Sequence, residues 1–146
     1  MGTGGKRWEL SHMTEYIGTH EHKLDDKGRL TVPAQFQGIL TEGAVITTGN
    51  SGELVIFPAS TWSKLTSGLN EDPLRNQLDP EFDKVKDRIY GGAEKLEHDD
   101  KHRIIITRFQ REHAGIEPRA SVIVQGSGDS VKIWAPEKLK HRLQSA

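Results

Sequence analysis

The sequence predicts a β-rich α+β fold built from two tandem copies of one unit, with helices at the periphery. Three observations lead there. First, a charged loop occurs twice: Lys23-Leu24-Asp25-Asp26-Lys27-Gly28-Arg29-Leu30-Thr31-Val32 returns as Glu97-His98-Asp99-Asp100-Lys101-His102-Arg103-Ile104-Ile105-Ile106, with Asp25/Asp99 and Arg29/Arg103 both 74 positions apart. Second, the repeat runs on in order: Val45-Ile46-Thr47-Thr48-Gly49 matches Val122-Ile123-Val124-Gln125-Gly126, and Leu54-Val55-Ile56-Phe57-Pro58 matches Val131-Lys132-Ile133-Trp134-Ala135. An insertion near Glu117-Pro118-Arg119 explains the slightly longer later offset. Third, an acidic, helix-forming stretch separates the copies. Two copies make a tandem duplication rather than a solenoid, which needs at least about three repeats.

The elements follow in order. Residues 1–14 are polar and Gly-rich without a period; they read as a disordered leader, with Ser11-His12-Met13 resembling a cloning junction. The first unit spans 15–70. Thr19 to Leu24 reads as a strand and Arg29 to Val32 as its return, making a hairpin around Asp25-Asp26-Lys27-Gly28, where Asp suits the first turn position and Gly the left-handed one. Pro33 starts a helical turn with Phe36, Ile39 and Leu40 at helical spacing, and Gly43 ends it. Val45 to Thr48 and Leu54 to Phe57 form two strands around Gly49-Asn50-Ser51-Gly52. Ser60 is placed to cap a helix holding Trp62, Leu65 and Leu69.

A helical linker covers 71–92. Asp72-Pro73 and Asp79-Pro80 are cap-then-proline starts, Phe82, Val85 and Ile89 share one face, and Gly91-Gly92 stops the helix. The second unit, 93–146, repeats the plan. A strand near Ala93 to Leu96 precedes the second loop and Ile104-Ile105-Ile106; a helix runs from about Thr107 to Ala114; strands Ser121 to Val124 and Val131 to Trp134 follow; Pro136 opens a last helix through Leu139 and Leu143. Trp62 and Trp134 read as core or subunit-contact anchors.

Composition bounds the function. The apolar share of 34 % is thin for a monomeric core, so contacts between subunits are expected. With no cysteine, disulfides and thiolate metal sites are excluded. No apolar run approaches the roughly 20 residues of a membrane span, and no hydrophobic signal segment opens the chain. The expectation is a soluble cytoplasmic protein without membrane contact. A net charge of −1 argues weakly against nucleic acid taken alone. Its distribution matters more: Glu71, Asp72, Asp79, Glu81 and Asp83 gather in the linker, while Lys27, Arg29, Lys101 and Arg103 sit in the loops. Seven histidines add positive charge below about pH 6.5.

Asp and Arg four apart form an ordinary ion pair on a helix. In a turn, the Asp accepts local amide hydrogen bonds and braces the Arg, which then loses less rotamer freedom on meeting a planar or anionic group. Its fork fits guanine O6/N7 or a phosphate. The competing reading is a salt bridge that stabilises the turn and binds nothing; retention of Lys27 as Lys101 counts against it. His20 and His22 share a strand face, which suits a metal, but there is no obvious third ligand nearby and a surface role is expected. Nucleophile elbow, P-loop and Rossmann glycine patterns are absent. The chain is expected to be no enzyme and to need no cofactor.

The run from His20 to Pro33 resembles the first signature of the MraZ family of bacterial cell-division and cell-wall operon regulators. Arg103-Ile104-Ile105-Ile106 leading to Arg111-Glu112-His113-Ala114-Gly115-Ile116 resembles the second, and Ile133-Trp134 the family's late strand. The resemblance implies a swapped-hairpin AbrB-type fold, each subunit holding two half-barrels, assembled into a homo-oligomeric ring. It implies a nucleoid-associated repressor that binds double-stranded DNA at G-rich promoter repeats. On the matching positions, Arg29 is the base reader, Lys27 and Lys101 are phosphate or base contacts, Arg103 is the second-loop counterpart, and Asp25, Asp99 and Gly28 support the loops. Alternatives are a non-DNA assembly protein and an AbrB-like antitoxin. Two departures from the first loop stand out: His102 replaces Gly28 and Thr107 replaces Pro33. Histidine at positive φ carries a cost, so the second loop is expected to differ in shape.

Overall fold

The computed structural model describes residues 15–145; the leader expected over 1–14 lies outside them. The first strand, β1 (Thr19–Lys23), leads through the first loop to β2 (Arg29–Thr31). Pro33 then sets the chain into a 3-10 turn, Ala34–Phe36, continuing as α1 (Gly38–Thr41). Strands β3 (Ala44–Thr48) and β4 (Leu54–Pro58) precede helices α2 (Ala59–Leu69), α3 (Pro73–Leu78) and α4 (Pro80–Gly91). Asp72 and Asp79 cap α3 and α4, accepting from the amides of Leu74 and Phe82. The second copy comprises β5 (Glu94–Lys95), β6 (Arg103–Ile105), α5 (Arg108–Ala114), β7 (Ser121–Gly126), β8 (Val131–Trp134) and α6 (Pro136–Gln144). The class is α+β, as the sequence indicates. Among the described residues no helix is long and apolar enough to cross a membrane.

The strands form an antiparallel six-stranded sheet, in the order β1-β7-β8-β4-β3-β5, and a separate ribbon of β2 and β6. Exchanging each strand for its counterpart in the other copy leaves that order unchanged. A pseudo-twofold axis therefore relates the copies. It passes through the central pairs of the two self-matching ladders, Val55 opposite Lys132 and Leu30 opposite Ile104.

One sequence expectation fails here. β1 and β2 do not pair as a hairpin. All five residues of β1 pair with β7, and the Leu24 amide extends that ladder by donating to the Ala120 carbonyl at 2.9 Å. β2 pairs with β6 instead. The loop reverses the chain, but backbone donors on both sides of it are satisfied by the other copy. The hairpins β3–β4 and β7–β8 form as expected. Ser60 lies inside α2, which starts after Pro58 without a side-chain cap.

The core forms where strand alternation and helix faces converge. Leu30 and Val32 from the first copy and Ile104 and Ile106 from the second are at most 2 % exposed; with Phe36, Ile39, Ala114 and Ile116 they fill the space beneath the ribbon. Each of the larger side chains among them contributes roughly 1.5–3 kcal/mol by leaving water. Gln110, fully buried, ties the copies together: its Nε2 donates to the carbonyls of Ile46 and Gly92, and its Oε1 accepts from the Thr107 amide. Trp134 is buried, with Nε1 donating to Gln125 at 2.9 Å. Trp62 is half-buried between Phe57 and Tyr90.

Candidate nucleic-acid interface

Each loop is organised around one carboxylate. Asp25 Oδ1 accepts from the amides of Lys27 (2.9 Å) and Arg29 (2.8 Å), while Oδ2 accepts from Arg29 Nε at 2.6 Å. Asp99 does the same with Lys101 (2.9 Å), Arg103 (3.0 Å) and Arg103 Nε (2.6 Å). The backbones match as well: the Asp25 amide donates to the Arg29 carbonyl and the Gly28 amide to Asp25, as Asp99 does to Arg103 and His102 to Asp99. The second loop therefore has the shape of the first, against expectation. His102 takes the left-handed conformation at φ 59°, beside 78° for Gly28. Histidine tolerates this conformation at a cost, and the Asp99 hydrogen bonds hold it there.

These bonds set the charge state. The Asp99 carboxyl is lowered to about 2: the hydrogen bond from the Arg103 amide outweighs desolvation, and the Arg103 guanidinium and the Lys101 amide add to it. At Asp25 partial desolvation pushes the carboxyl up, but hydrogen bonds from the Arg29 amide and guanidinium and the Lys27 amide outweigh it and hold it below its ordinary value. Both aspartates are thus charged acceptors, and both arginine side chains are held by Nε. Because the aspartate engages Nε, the two terminal nitrogens of each guanidinium are left to meet a ligand.

A second pair of residues braces the ribbon ends. Arg111 reaches back over the first loop, and its Nη1 donates to the Ile106 carbonyl at 2.5 Å. Gln37, which stands 74 positions earlier, donates to the equivalent Val32 carbonyl at 3.0 Å. Arg111 lies so close to Gly28 that a Cβ there would meet its Nη1 at 2.5 Å. The shorter Gln37 serves the other end of the ribbon, where His102 carries a side chain. That difference accounts for glycine in one loop and histidine in the other. The sequence placed Arg111 only within the second signature and gave Gln37 no role; their common offset with the loops was the available signal.

The ribbon brings the loops together. Arg29 pairs with Ile105 and Arg103 with Thr31, while Leu30 and Ile104 between them face the core. Side chains alternate along a strand, so Arg29, Thr31, Arg103 and Ile105 share the outer face. Arg29 and Arg103 are diagonal neighbours, about 7–8 Å apart. Both are partly buried, at 27 % and 29 % side-chain exposure, while Lys27 and Lys101 are exposed beside them. His98 and His102 stack in parallel at the second loop, with ring centres 6.2 Å apart. His20 packs edge-on against Phe36; among the described residues no cluster of three His, Asp or Glu is placed to hold a metal ion.

Comparison with known proteins identifies the lineage. A family model described as "MraZ protein, putative antitoxin-like" matches residues 16–85. A transcriptional regulator MraZ of Roseiflexus sp. (strain RS-1) is 34 % identical over 130 residues, covering 89 % of this chain and 87 % of the relative. The chain belongs to the MraZ family. Further MraZ relatives bearing the same name come from Thermus thermophilus, 33 % identical over 84 % of this chain and 83 % of its own, and Leuconostoc citreum, 37 % identical over 84 % and 82 %. These alignments reach past the first copy, so the MraZ likeness takes in most of the duplicated unit and not one loop alone.

Proposed function

We propose that the chain is a sequence-specific DNA-binding transcriptional regulator, a repressor of the division and cell-wall operon. In this reading it binds G-rich promoter repeats through the Asp-x-x-x-Arg loops of a ring-shaped homo-oligomer. The observation that carries the proposal is the pair of braced arginines on one ribbon face. A two-stranded ribbon fits the major groove, about 12 Å wide, and an Arg fork pairs with guanine O6 and N7. A separation of about 7–8 Å spans roughly two base-pair steps of 3.4 Å, so Arg29 and Arg103 can address two guanines of one G-rich box. Lys27 and Lys101 flank them and serve phosphates; Asp25, Asp99 and Gly28 hold the loops in shape. The names of the relatives support the regulatory class.

The exchange of strands between copies supports the swapped-hairpin half-barrel reading, with repeats at 15–70 and 93–146 joined by the helical linker 71–92. Its acidic residues lie away from the ribbon in sequence, which lets a chain of net charge −1 meet DNA at its basic loops. One subunit offers few contacts; a ring presents several loops at once, and boxes about one helical turn apart engage neighbouring subunits together. The family description favours a second reading, an antitoxin that also binds a protein partner.

Fluorescence anisotropy with a duplex carrying G-rich repeats tests the proposal, beside light scattering of the free protein. Binding is expected to be specific and oligomer-dependent, and Arg29→Ala is expected to lose about 1–3 kcal/mol per engaged loop. An Arg29→Ala protein that binds the repeat like the parent, or a monomer at micromolar concentration, overturns it.

A further inference from the structure

The outer face of the β2–β6 ribbon carries two side chains that the proposal above leaves unused. Ile105 is 63 % exposed, whereas Ile104 and Ile106 beside it are fully buried. A single exposed apolar residue is ordinary; its position is what matters here. The Val32 amide donates to the His102 carbonyl and the Ile106 amide to the Gly28 carbonyl. The intervening Arg29–Ile105 and Thr31–Arg103 pairs are therefore of the non-hydrogen-bonded kind, with Cα atoms only about 4.5 Å apart and side chains in lateral contact range. Each braced guanidinium has a methyl-bearing side chain directly across the ladder from it.

We propose that Ile105 is a specificity-determining residue that reads the 5-methyl group of a thymine next to the guanine addressed by Arg29, with Thr31 as its counterpart beside Arg103. The inference rests on the DNA-binding reading of this face. In the major groove only thymine offers a methyl group; cytosine and adenine offer an amino group and guanine two acceptors. Ile105 has no polar atom to meet those groups, so a base that presents one loses its water without a new partner. The spacing from Arg29 is close to the 3.4 Å between stacked bases. Thr31 carries a hydroxyl as well as a methyl and tolerates more bases, so Ile105 is the stricter reader of the two. Ile105 also lines a groove with Glu94, Lys95 and Glu97.

The test uses the full chain and the duplex that it selects from a randomised pool. Each thymine is replaced in turn by deoxyuridine, which lacks only the methyl, and affinity is read by fluorescence anisotropy. One such replacement beside a guanine is expected to weaken binding about fourfold, the worth of burying one methyl-sized group. Ile105→Ala is expected to bind the thymine duplex more weakly by a similar factor and to be indifferent to the same replacement. A variant that keeps the parent's sensitivity to deoxyuridine overturns the proposal, as does a selected duplex with no thymine beside a guanine. A loss of assembly in Ile105→Ala by light scattering also overturns it, assigning the residue to a contact between copies. Arg29→Ala on the same duplex separates the two ideas. If it binds unchanged, the DNA-binding reading falls and Ile105 with it; if it loses binding while Ile105→Ala matches the parent, only the methyl reading falls.

Discussion

Gly28 meets two demands at once. Its φ of 78° lies in the left-handed region, and Arg111 packs where a side chain would begin. Gly28→Ala is expected to cost about 2 kcal/mol in urea denaturation, from left-handed strain of roughly 1–2 kcal/mol and displacement of Arg111 from the Ile106 carbonyl. A cost below about 0.5 kcal/mol contradicts this packing. The aspartates make a second prediction at the same scale. The folded Asp99 carboxyl sits at about 2, below its ordinary 3.8. A depressed carboxyl stabilises the loop above the unfolded value and loses that contribution as pH falls through the folded one. The second loop is therefore expected to be insensitive to pH above about 3.8 and to open only on the way down to about 2. An NMR titration of the Asp99 carboxyl carbon reads this directly, and a midpoint at 3.8 or higher contradicts the brace.

At the scale of elements the ribbon is the unit that matters. Its inner side chains belong to the core and its outer ones to solvent, so adjacent isoleucines differ sharply. Ile104→Ala is expected to destabilise the fold by about 3 kcal/mol, through lost burial and the cavity left behind. Ile105→Ala is expected to stay within about 0.5 kcal/mol of the parent. Thermal unfolding of the two variants compares them, and equal losses would mean the assigned faces are wrong. The strand segments and most helices were legible in the sequence, because alternation and cap-then-proline signals are local. The partner of β1 was not. A four-residue loop between two short strands reads as a hairpin, yet the backbone donors of Leu24 and of Val32 go to Ala120 and His102 in the other copy. Nothing local distinguishes those outcomes.

For the whole molecule, the duplication places two loops on one face, and in the proposed ring self-association would multiply them. Phosphate contacts release counterions, so log affinity falls with log salt by about 0.9 per contact. Lys27→Ala is expected to weaken binding about equally across DNA sequences and to reduce the salt slope by about 1 per engaged loop, whereas Arg29→Ala relaxes sequence preference. Anisotropy titrations over a range of salt distinguish the two. An unchanged slope in Lys27→Ala removes that residue from the phosphate contacts.

From the sequence alone came the duplicated pattern, a turn in each copy with Asp and Arg four apart, and an acidic helix-forming stretch between the copies, because repeats, turn residues and caps are written in adjacent positions. It also located Arg29 and Arg103, though as two separate loop tips. Only the tertiary structure decided that they are diagonal neighbours on one ribbon, with Ile105 and Thr31 across from them and Arg111 and Gln37 holding the ends. Strand pairing between residues 72 to 76 positions apart depends on which amides remain free once the whole core has closed, and that choice is made by the fold and not by any local run of residues.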